Sequence, residues 1–228
     1  AMPWKDKVPA IVQGWYLGSE AGEALADVLS GDVCPSGKLP FTWVKGLNQV
    51  GAHALNTYPG VWRKEGGQKT PGNIIDEEYK EGIYVGYRWT DLKRQQPLFA
   101  FGHGLSYTTF KLSNLRADKA EMQRDGNITF TVNVTNTGRV AGAETVQLYI
   151  HDQKASVDRP VKELKGFNKV WLQPGESKDV TITIDNTALS FYNEAKGAWN
   201  AEAGVFEAWV GNASDNLKLK KQFVLVDE

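Results

Sequence analysis

The chain has 228 residues, of which 41% are hydrophobic and 23% are charged, a balance typical of one or two globular domains. Its 26 basic and 27 acidic side chains nearly cancel, to a net charge of −1, so the sequence lacks the basic surface that nucleic-acid binding requires. No apolar run reaches the roughly 18 residues of a membrane span. We therefore expect neither nucleic acid nor a membrane among the partners.

Cysteine and histidine usage argues against disulfide and metal chemistry. Cys34 is the single cysteine, which excludes an internal disulfide, and it stands in a Pro/Gly-rich turn where a small packing residue is favoured over a reactive thiol. The histidines His53, His103 and His151 are far apart and lack the short spacing of a zinc-binding pair. The sequence predicts no metal site and no cofactor.

The first hundred residues contain one strand-turn-helix pattern. Residues 10–12 form a short apolar run typical of a strand, and Ser19 is a candidate N-cap for a helix over residues 20–30 that ends at Gly31. One strand and one helix cannot build an α/β sheet that is covered on both faces. We therefore expect the α/β part to be incomplete in this chain, with its partners supplied from elsewhere.

Residues 45–76 lack sustained periodicity and are punctuated by glycine and proline. A loop of that length in a compact domain normally lies over a neighbouring surface or serves a binding site. This loop therefore also suggests a neighbour that the chain does not contain.

After Phe110 the pattern changes to short alternating runs separated by turns. Residues 128–134 alternate strictly, and further strand-like runs follow at residues 146–150, 180–184, 205–210 and 222–226. About seven strands of this kind match an immunoglobulin or fibronectin type III-like sandwich. The predicted fold class is an incomplete α/β sandwich over residues 1–108, followed by an all-β sandwich over residues 109–228.

Residues 76–81 form the only local cluster of carboxylates. Adjacent side chains on a strand or helix diverge, and an acidic run usually forms a solvated face. We expect no catalytic acid/base pair in this cluster.

Several long motifs follow one another along the chain, at residues 9–22, 31–40, 79–89, 97–110 and 159–167. In this order they resemble the C-terminal part of glycoside hydrolase family 3 enzymes of the β-glucosidase or β-xylosidase type. The resemblance implies that residues 1–108 are the end of an α/β sandwich domain and that residues 109–228 are a fibronectin type III-like domain.

The same resemblance implies a retaining hydrolysis that uses two carboxylates about 5 Å apart. In the family the nucleophilic aspartate lies in an N-terminal barrel and the acid/base glutamate lies upstream of the matching region. Neither motif occurs here, so we assign no catalytic residue. The implied partner is a catalytic barrel domain or chain, and the implied substrates of the parent enzyme are β-linked gluco- or xylo-oligosaccharides. The resemblance also implies a periplasmic or extracellular location.

Trp15 and Tyr16 are the candidate substrate-binding residues. In open α/β sheets ligands collect beyond the carboxyl ends of strands, and the loop at residues 14–19 follows the predicted strand. The two rings are suited to stacking on a sugar. The alternative is that they pack between the helix and a neighbouring domain.

Two other functions fit a chain that works alone. A carbohydrate-binding sandwich module would present a row of exposed aromatic side chains, for which Trp171, Trp199 and Trp209 are candidates. A protein-interaction module that docks to a glycosidase or dimerises it would instead show an exposed apolar patch.

Overall fold

The computed structural model describes residues 1–65, 68–69, 72 and 74–227. Regular structure is sparse before residue 110. The elements there include the helices α1 (Ala21–Ser30), α2 (Gly51–Ala54) and α3 (Tyr87–Leu92), two 3-10 helices (Lys5–Lys7 and Leu47–Gln49), and the two-residue strands β1 (Val61–Trp62), β2 (Lys64–Glu65), β3 (Gln68–Lys69) and β4 (Ile75–Asp76). The strands form two separate ladders, β1 with β4 and β2 with β3.

Helix α1 confirms the predicted helix and its end. Gly31 adopts a left-handed conformation with a φ of 90°, which glycine tolerates without the penalty that a Cβ imposes. The predicted cap is wrong: Glu20 is the N-cap residue and makes no side-chain capping bond. No residue of α1 is buried, and Leu29 on its apolar face is 65% exposed.

Residues 10–12 do not form the predicted strand. They pair with no described segment, and Ile11 and Val12 are exposed. A strand exists only when a ladder satisfies its backbone groups, and the part of the chain that the structure describes offers residues 10–12 no such neighbour. The apolar pattern of residues 10–12 is therefore not sufficient for a strand within the described residues.

An extended segment at residues 39–43 holds the N-terminal part together. Trp43 forms an antiparallel bridge with Phe99. Four residues earlier, the amide of Leu39 donates to the carbonyl of His103 at 2.8 Å, and the amide of Gly102 donates to the carbonyl of Leu39 at 2.8 Å. These bonds place residues 39–43 alongside residues 99–103, immediately before the sandwich begins.

Residues 110–226 form two sheets. The three-stranded sheet has the order β10-β7-β5, with β5 (Phe110–Ala117), β7 (Asn127–Asn136) and β10 (Ser177–Asp185). The five-stranded sheet has the order β6-β14-β13-β8-β9, with β6 (Glu121–Gln123), β8 (Gly142–Asp152), β9 (Glu163–Leu172), β13 (Gly204–Gly211) and β14 (Leu219–Val226). All pairs are antiparallel except β14 with β6. Helix α4 (Asn186–Leu189) and the hairpin of β11 (Phe191–Asn193) and β12 (Ala198–Asn200) connect the sheets.

The hydrophobic core lies between these two sheets. Alternate residues of β7 are buried, as the sequence predicts, because successive strand residues face opposite sides of a sheet. Phe223 of β14 contacts Phe130 of β7 at a ring-centroid distance of 5.4 Å and Phe206 of β13 at 5.7 Å. The fold class is therefore confirmed for the all-β part. Among the helices described, none is long and apolar enough to cross a bilayer.

Candidate functional site

The tight turn at residues 102–104 joins the N-terminal part to the five-stranded sheet. A Cβ at Gly102, where φ is 80°, would lie 2.3 Å from the side-chain oxygen of Gln147. A Cβ at Gly104 would lie 2.0 Å from the carbonyl oxygen of Gly37. The buried Gln147 amide donates to the carbonyls of Gly102 and Asn212, at 3.3 and 2.7 Å. Gly102 is therefore required by close approach of the N-terminal part to β8, and Gly104 by close approach to Gly37 within the N-terminal part.

A buried ionic cluster fixes the same junction on the β9 side. Arg159 donates to Asp152 at 3.2 Å and to Glu163 at 2.8 Å, and Arg88 of α3 donates to Glu163 at 2.9 Å. Burial raises the pKa of Glu163, but the hydrogen bond from Arg159 and the surrounding cationic charges outweigh it and hold this pKa below its usual value. Both carboxylates are paired with cations, which indicates a structural role.

Helix α3 makes further direct contacts with β9 and the residues before it. The backbone amide of Leu164 donates to the hydroxyl of Tyr87 at 2.9 Å, and the buried ammonium of Lys162 lies 2.5 Å from the carboxylate of Asp91. The N-terminal part is thus held to the sandwich by hydrogen bonds, ion pairs and close backbone approach together.

The loop that carries the predicted substrate-binding residues starts a row of aromatic contacts. Trp15 has a φ of 52° and its ring meets the edge of Phe41 at 5.5 Å. Phe41 contacts Trp43 at 5.2 Å, and Trp43 contacts Phe99 at 6.5 Å. Tyr16 stands outside this row and is 102% exposed. The two predicted residues therefore differ in their surroundings. Trp15 is partly covered by its contact with Phe41, whereas Tyr16 is fully exposed.

Phe41 and Trp43 were not predicted as part of this site. A signal was present in the sequence, because aromatic residues at positions i and i+2 of an extended segment share one side. Their contact with Trp15, however, joins segments that are distant along the chain, and only the fold reveals it.

Exposed apolar side chains are concentrated in the N-terminal part. They include, among the residues the structure describes, Ile11, Val12, Leu17, Leu25, Leu29, Val85 and Leu105. Soluble proteins rarely leave so many large apolar side chains in water unless the surface binds a partner. The structure therefore has the feature expected of a chain that docks against another domain.

The acidic cluster at residues 76–81 divides into different settings. Arg63 donates from Nε to Asp76 at 3.0 Å, and this hydrogen bond lowers the pKa of the Asp76 carboxyl. Glu78 pairs with Lys80 at 2.5 Å, whereas one side-chain oxygen of Glu81 is buried. Within the described residues, no group of three or more His, Cys, Asp and Glu side chains has the geometry to hold a metal ion.

The three candidate tryptophans of the sandwich lie on separate strands. Trp171 of β9 and Trp199 of β12 are exposed. Trp209 of β13 is covered by the ring of His151, at 5.0 Å, and by the ammonium of Lys220, at 3.7 Å from the ring centroid. The expected row of three exposed aromatic side chains is therefore not formed.

Comparison with known families matches both parts of the chain. Residues 1–87 match the family described as the glycosyl hydrolase family 3 C-terminal domain. Residues 144–214 match the fibronectin type III-like domain.

Comparison with individual proteins gives matches over nearly the whole chain. The chain is 50% identical over 217 residues to the β-glucosidase BoGH3A of Bacteroides ovatus, which covers 95% of this chain and 28% of that protein. It is 45% identical over 220 residues to the thermostable β-glucosidase B of Acetivibrio thermocellus, which covers 96% of this chain and 27% of that protein.

Solved structures show the same correspondence. A family 3 β-glucosidase of Bifidobacterium adolescentis superposes with a TM-score of 0.86 at 37% identity, covering 98% of this chain and 31% of that one. The β-glucosidase 3B of Thermotoga neapolitana, in complex with glucose, superposes with a TM-score of 0.85 at 38% identity, covering 98% and 29%. The chain spans less than a third of the length of these relatives.

Proposed function

The chain belongs to glycoside hydrolase family 3, where it matches the C-terminal part of β-glucosidases, and from this premise we propose that it is the structural portion of a retaining β-glycosidase. It supplies the end of the α/β sandwich domain, over residues 1–108, and the fibronectin type III-like domain, over residues 109–228. A barrel-containing domain or chain supplies the nucleophile and the acid/base residue. The assembled enzyme hydrolyses β-linked gluco- or xylo-oligosaccharides.

The unequal burial of the two parts carries this proposal. The sandwich has a continuous core between its sheets, whereas α1 buries none of its residues although its leucines share one face. An amphipathic helix is stable in water only when that face packs against another element. The exposed face of α1 therefore fits the missing part of the α/β sandwich.

The exposure of Trp15 and Tyr16 supports a second, finer part of the proposal. Tyr16 projects fully into solvent, and Trp15 is held by the aromatic row that starts at Phe41. A rigid aromatic residue beside a free one is an arrangement that suits stacking on a sugar ring at the outer subsites. In this proposal both side chains contact the substrate only after the barrel has docked.

Association with the rest of a family 3 enzyme tests the structural role. The partner is the remaining N-terminal part of the Bacteroides ovatus relative, and the dissociation constant is measured by analytical ultracentrifugation. We expect the double variant Leu25→Asp, Leu29→Asp to bind at least about a hundredfold more weakly, because docking buries both of these exposed leucines. Val140→Asp on the sandwich is the matched control and should bind like the unmodified chain. Equal affinity of all three chains would refute the docking role of α1.

A further inference from the structure

Three tripeptides of the sandwich match the acceptor pattern for N-glycosylation, which is asparagine, any residue except proline, and then serine or threonine. They begin at Asn127, Asn133 and Asn212. Such tripeptides also occur by chance, so the pattern alone does not tell which asparagine can carry an oligosaccharide. The folded structure separates them, because an N-linked oligosaccharide is bulky and needs a surface position.

The side-chain amides of Asn133 and Asn212 are held in hydrogen bonds. Asn133 lies on β7, the central strand of the three-stranded sheet, and its amide donates to the carboxylate of Asp179 at 3.0 Å. The amide of Asn212 donates to the buried carboxylate of Glu144 at 2.9 Å, and its side-chain oxygen accepts from Asn216 at 2.7 Å. An oligosaccharide on either nitrogen would be placed against β10 or against the buried carboxylate.

Asn127 differs from both in its position and its freedom. It is the first residue of β7 and follows the turn in which the amide of Gly126 donates to the carbonyl of Gln123 at 3.0 Å. Asn127 is exposed, and its side chain makes no hydrogen bond with any residue that the structure describes. Thr129 supplies the hydroxyl of the tripeptide and lies on the same face of β7, because alternate residues of a strand share a face.

Open space adjoins Asn127 at this end of the sandwich. A cavity of about 510 Å³ is lined by Asn127 and by polar side chains that include Lys165, Thr183, Asp185 and Thr187. This volume lies within the range of cavities that hold small organic molecules. The first sugar of an oligosaccharide therefore finds room and polar neighbours beside Asn127 without displacing a strand.

We propose that Asn127 is the N-glycosylation site of this chain. The donor is an oligosaccharide joined through a pyrophosphate to a lipid, the co-substrate of oligosaccharyl transferases. Nδ2 of Asn127 forms a bond to the anomeric carbon of the first sugar, and the bond between that carbon and the pyrophosphate oxygen breaks. The proton lost from Nδ2 leaves with the lipid pyrophosphate. This inference does not rest on the proposed function, and it requires export through a compartment that holds the transferase.

Site occupancy after secretion tests the proposal. The 228-residue chain is secreted from yeast, and its folded fraction is treated with an amidase that releases N-linked oligosaccharides and converts each occupied asparagine to aspartate. Peptide mass spectrometry then measures the conversion at all three positions. We expect Asn127 to be converted in most chains and Asn133 and Asn212 to remain asparagine, because chains modified at those two positions cannot form the contacts described above.

Matched variants show that the tripeptide itself is read. Thr129→Val keeps the side-chain shape but removes the hydroxyl, and it should abolish conversion at Asn127, whereas Thr129→Ser should retain it. Asn133→Gln should leave conversion at Asn127 unchanged. Circular dichroism shows that each variant is folded. The proposal is overturned if Asn127 is unmodified in the secreted, folded chain, or if Asn133 or Asn212 is occupied as fully as Asn127.

Discussion

Gly104 lies where two backbone segments approach more closely than a side chain permits. A methyl group there would meet the carbonyl oxygen of Gly37 at 2.0 Å, and backbone cannot move aside as a flexible side chain can. We expect Gly104→Ala to lower the free energy of unfolding by about 1–3 kcal/mol, measured by urea denaturation. Gly22→Ala in α1 has no atom within 4 Å of the added methyl and should leave stability unchanged or raise it by up to about 1 kcal/mol. Similar losses in both variants would contradict this account of the turn.

His103 lies between Gly102 and Gly104 and gives the junction a pH dependence. Its ring stacks on Phe99 at 5.1 Å, and burial lowers the pKa of His103, with Lys38 and Lys5 adding to the effect and Asp215 opposing it. The neutral ring is therefore favoured in the folded chain. As pH falls below about 6.5 the unfolded chain takes up the proton first, so folding stability decreases.

Replacing His103 tests this dependence. We expect His103→Phe, which keeps an aromatic ring against Phe99, to flatten the fall in unfolding free energy between pH 7.5 and pH 5. Urea denaturation at a series of pH values measures the slope, and an unchanged slope in His103→Phe would show that the junction does not titrate through this residue.

Tyr16 is the residue at which the proposed sugar contact is most open to test. In the complex with a barrel-containing partner, we expect Tyr16→Ala to raise the KM for a β-linked oligosaccharide about tenfold, because stacking on an outer sugar is lost. The KM for a short aryl β-glucoside should not change. Tyr192→Ala, on the exposed β11–β12 hairpin, is the control. A KM that rises equally for both substrates, or for neither, would contradict stacking at an outer subsite.

At the scale of elements, one buried arginine holds the end of β8 to the start of β9. Arg159 is 9% exposed and neutralises both Asp152 and Glu163. Arg159→Met leaves the buried Asp152 carboxylate without its cation, while Glu163 keeps Arg88 and Lys165, and we expect a loss of about 3–5 kcal/mol in unfolding free energy. Arg116→Met breaks the exposed pair with Asp179 and should change stability little.

A second variant separates charge from packing in this cluster. Adding Asp152→Asn to Arg159→Met removes the uncompensated charge, so the double variant should regain part of the lost stability. Thermal and urea unfolding of the single and double variants measure this coupling. Purely additive losses would show that Arg159 acts through its packing alone.

Elements differed in how far the sequence specified them. The alternation of residues 128–134 predicts β7 correctly, because its inward and outward faces are set by residues within the strand and by a sheet that this chain completes. The apolar run at residues 10–12 predicts a strand that the described residues leave unpaired. For the helix, periodicity and Gly31 predict the body and the end of α1, whereas the first turn begins without the Ser19 cap.

The candidate sites were less accessible to sequence reasoning than the fold. Trp15 and Tyr16 follow from their position after a strand-like run, but the support from Phe41 arises from a contact between distant segments.

The whole molecule combines a self-sufficient sandwich with an N-terminal part that is attached to it but left exposed. The sandwich core is closed by its own two sheets, and the ion pairs of Arg88 and Asp91 and the close approach at Gly102 hold residues 84–109 against the five-stranded sheet. The preceding residues leave their apolar side chains in solvent. This asymmetry is what the proposed function requires: the sandwich is stable by its own core, and the exposed apolar side chains of the N-terminal part are left to pack against a partner.

Restoration of activity tests the central claim most directly. Release of aryl alcohol from an aryl β-glucoside is measured for the 228-residue chain, for the remaining N-terminal part of the Bacteroides ovatus relative, and for the two mixed. We predict no turnover by the chain alone and turnover by the mixture that rises to saturation as the chain is added. Turnover by the purified 228-residue chain without a partner would contradict the account and would require a catalytic pair within its own residues.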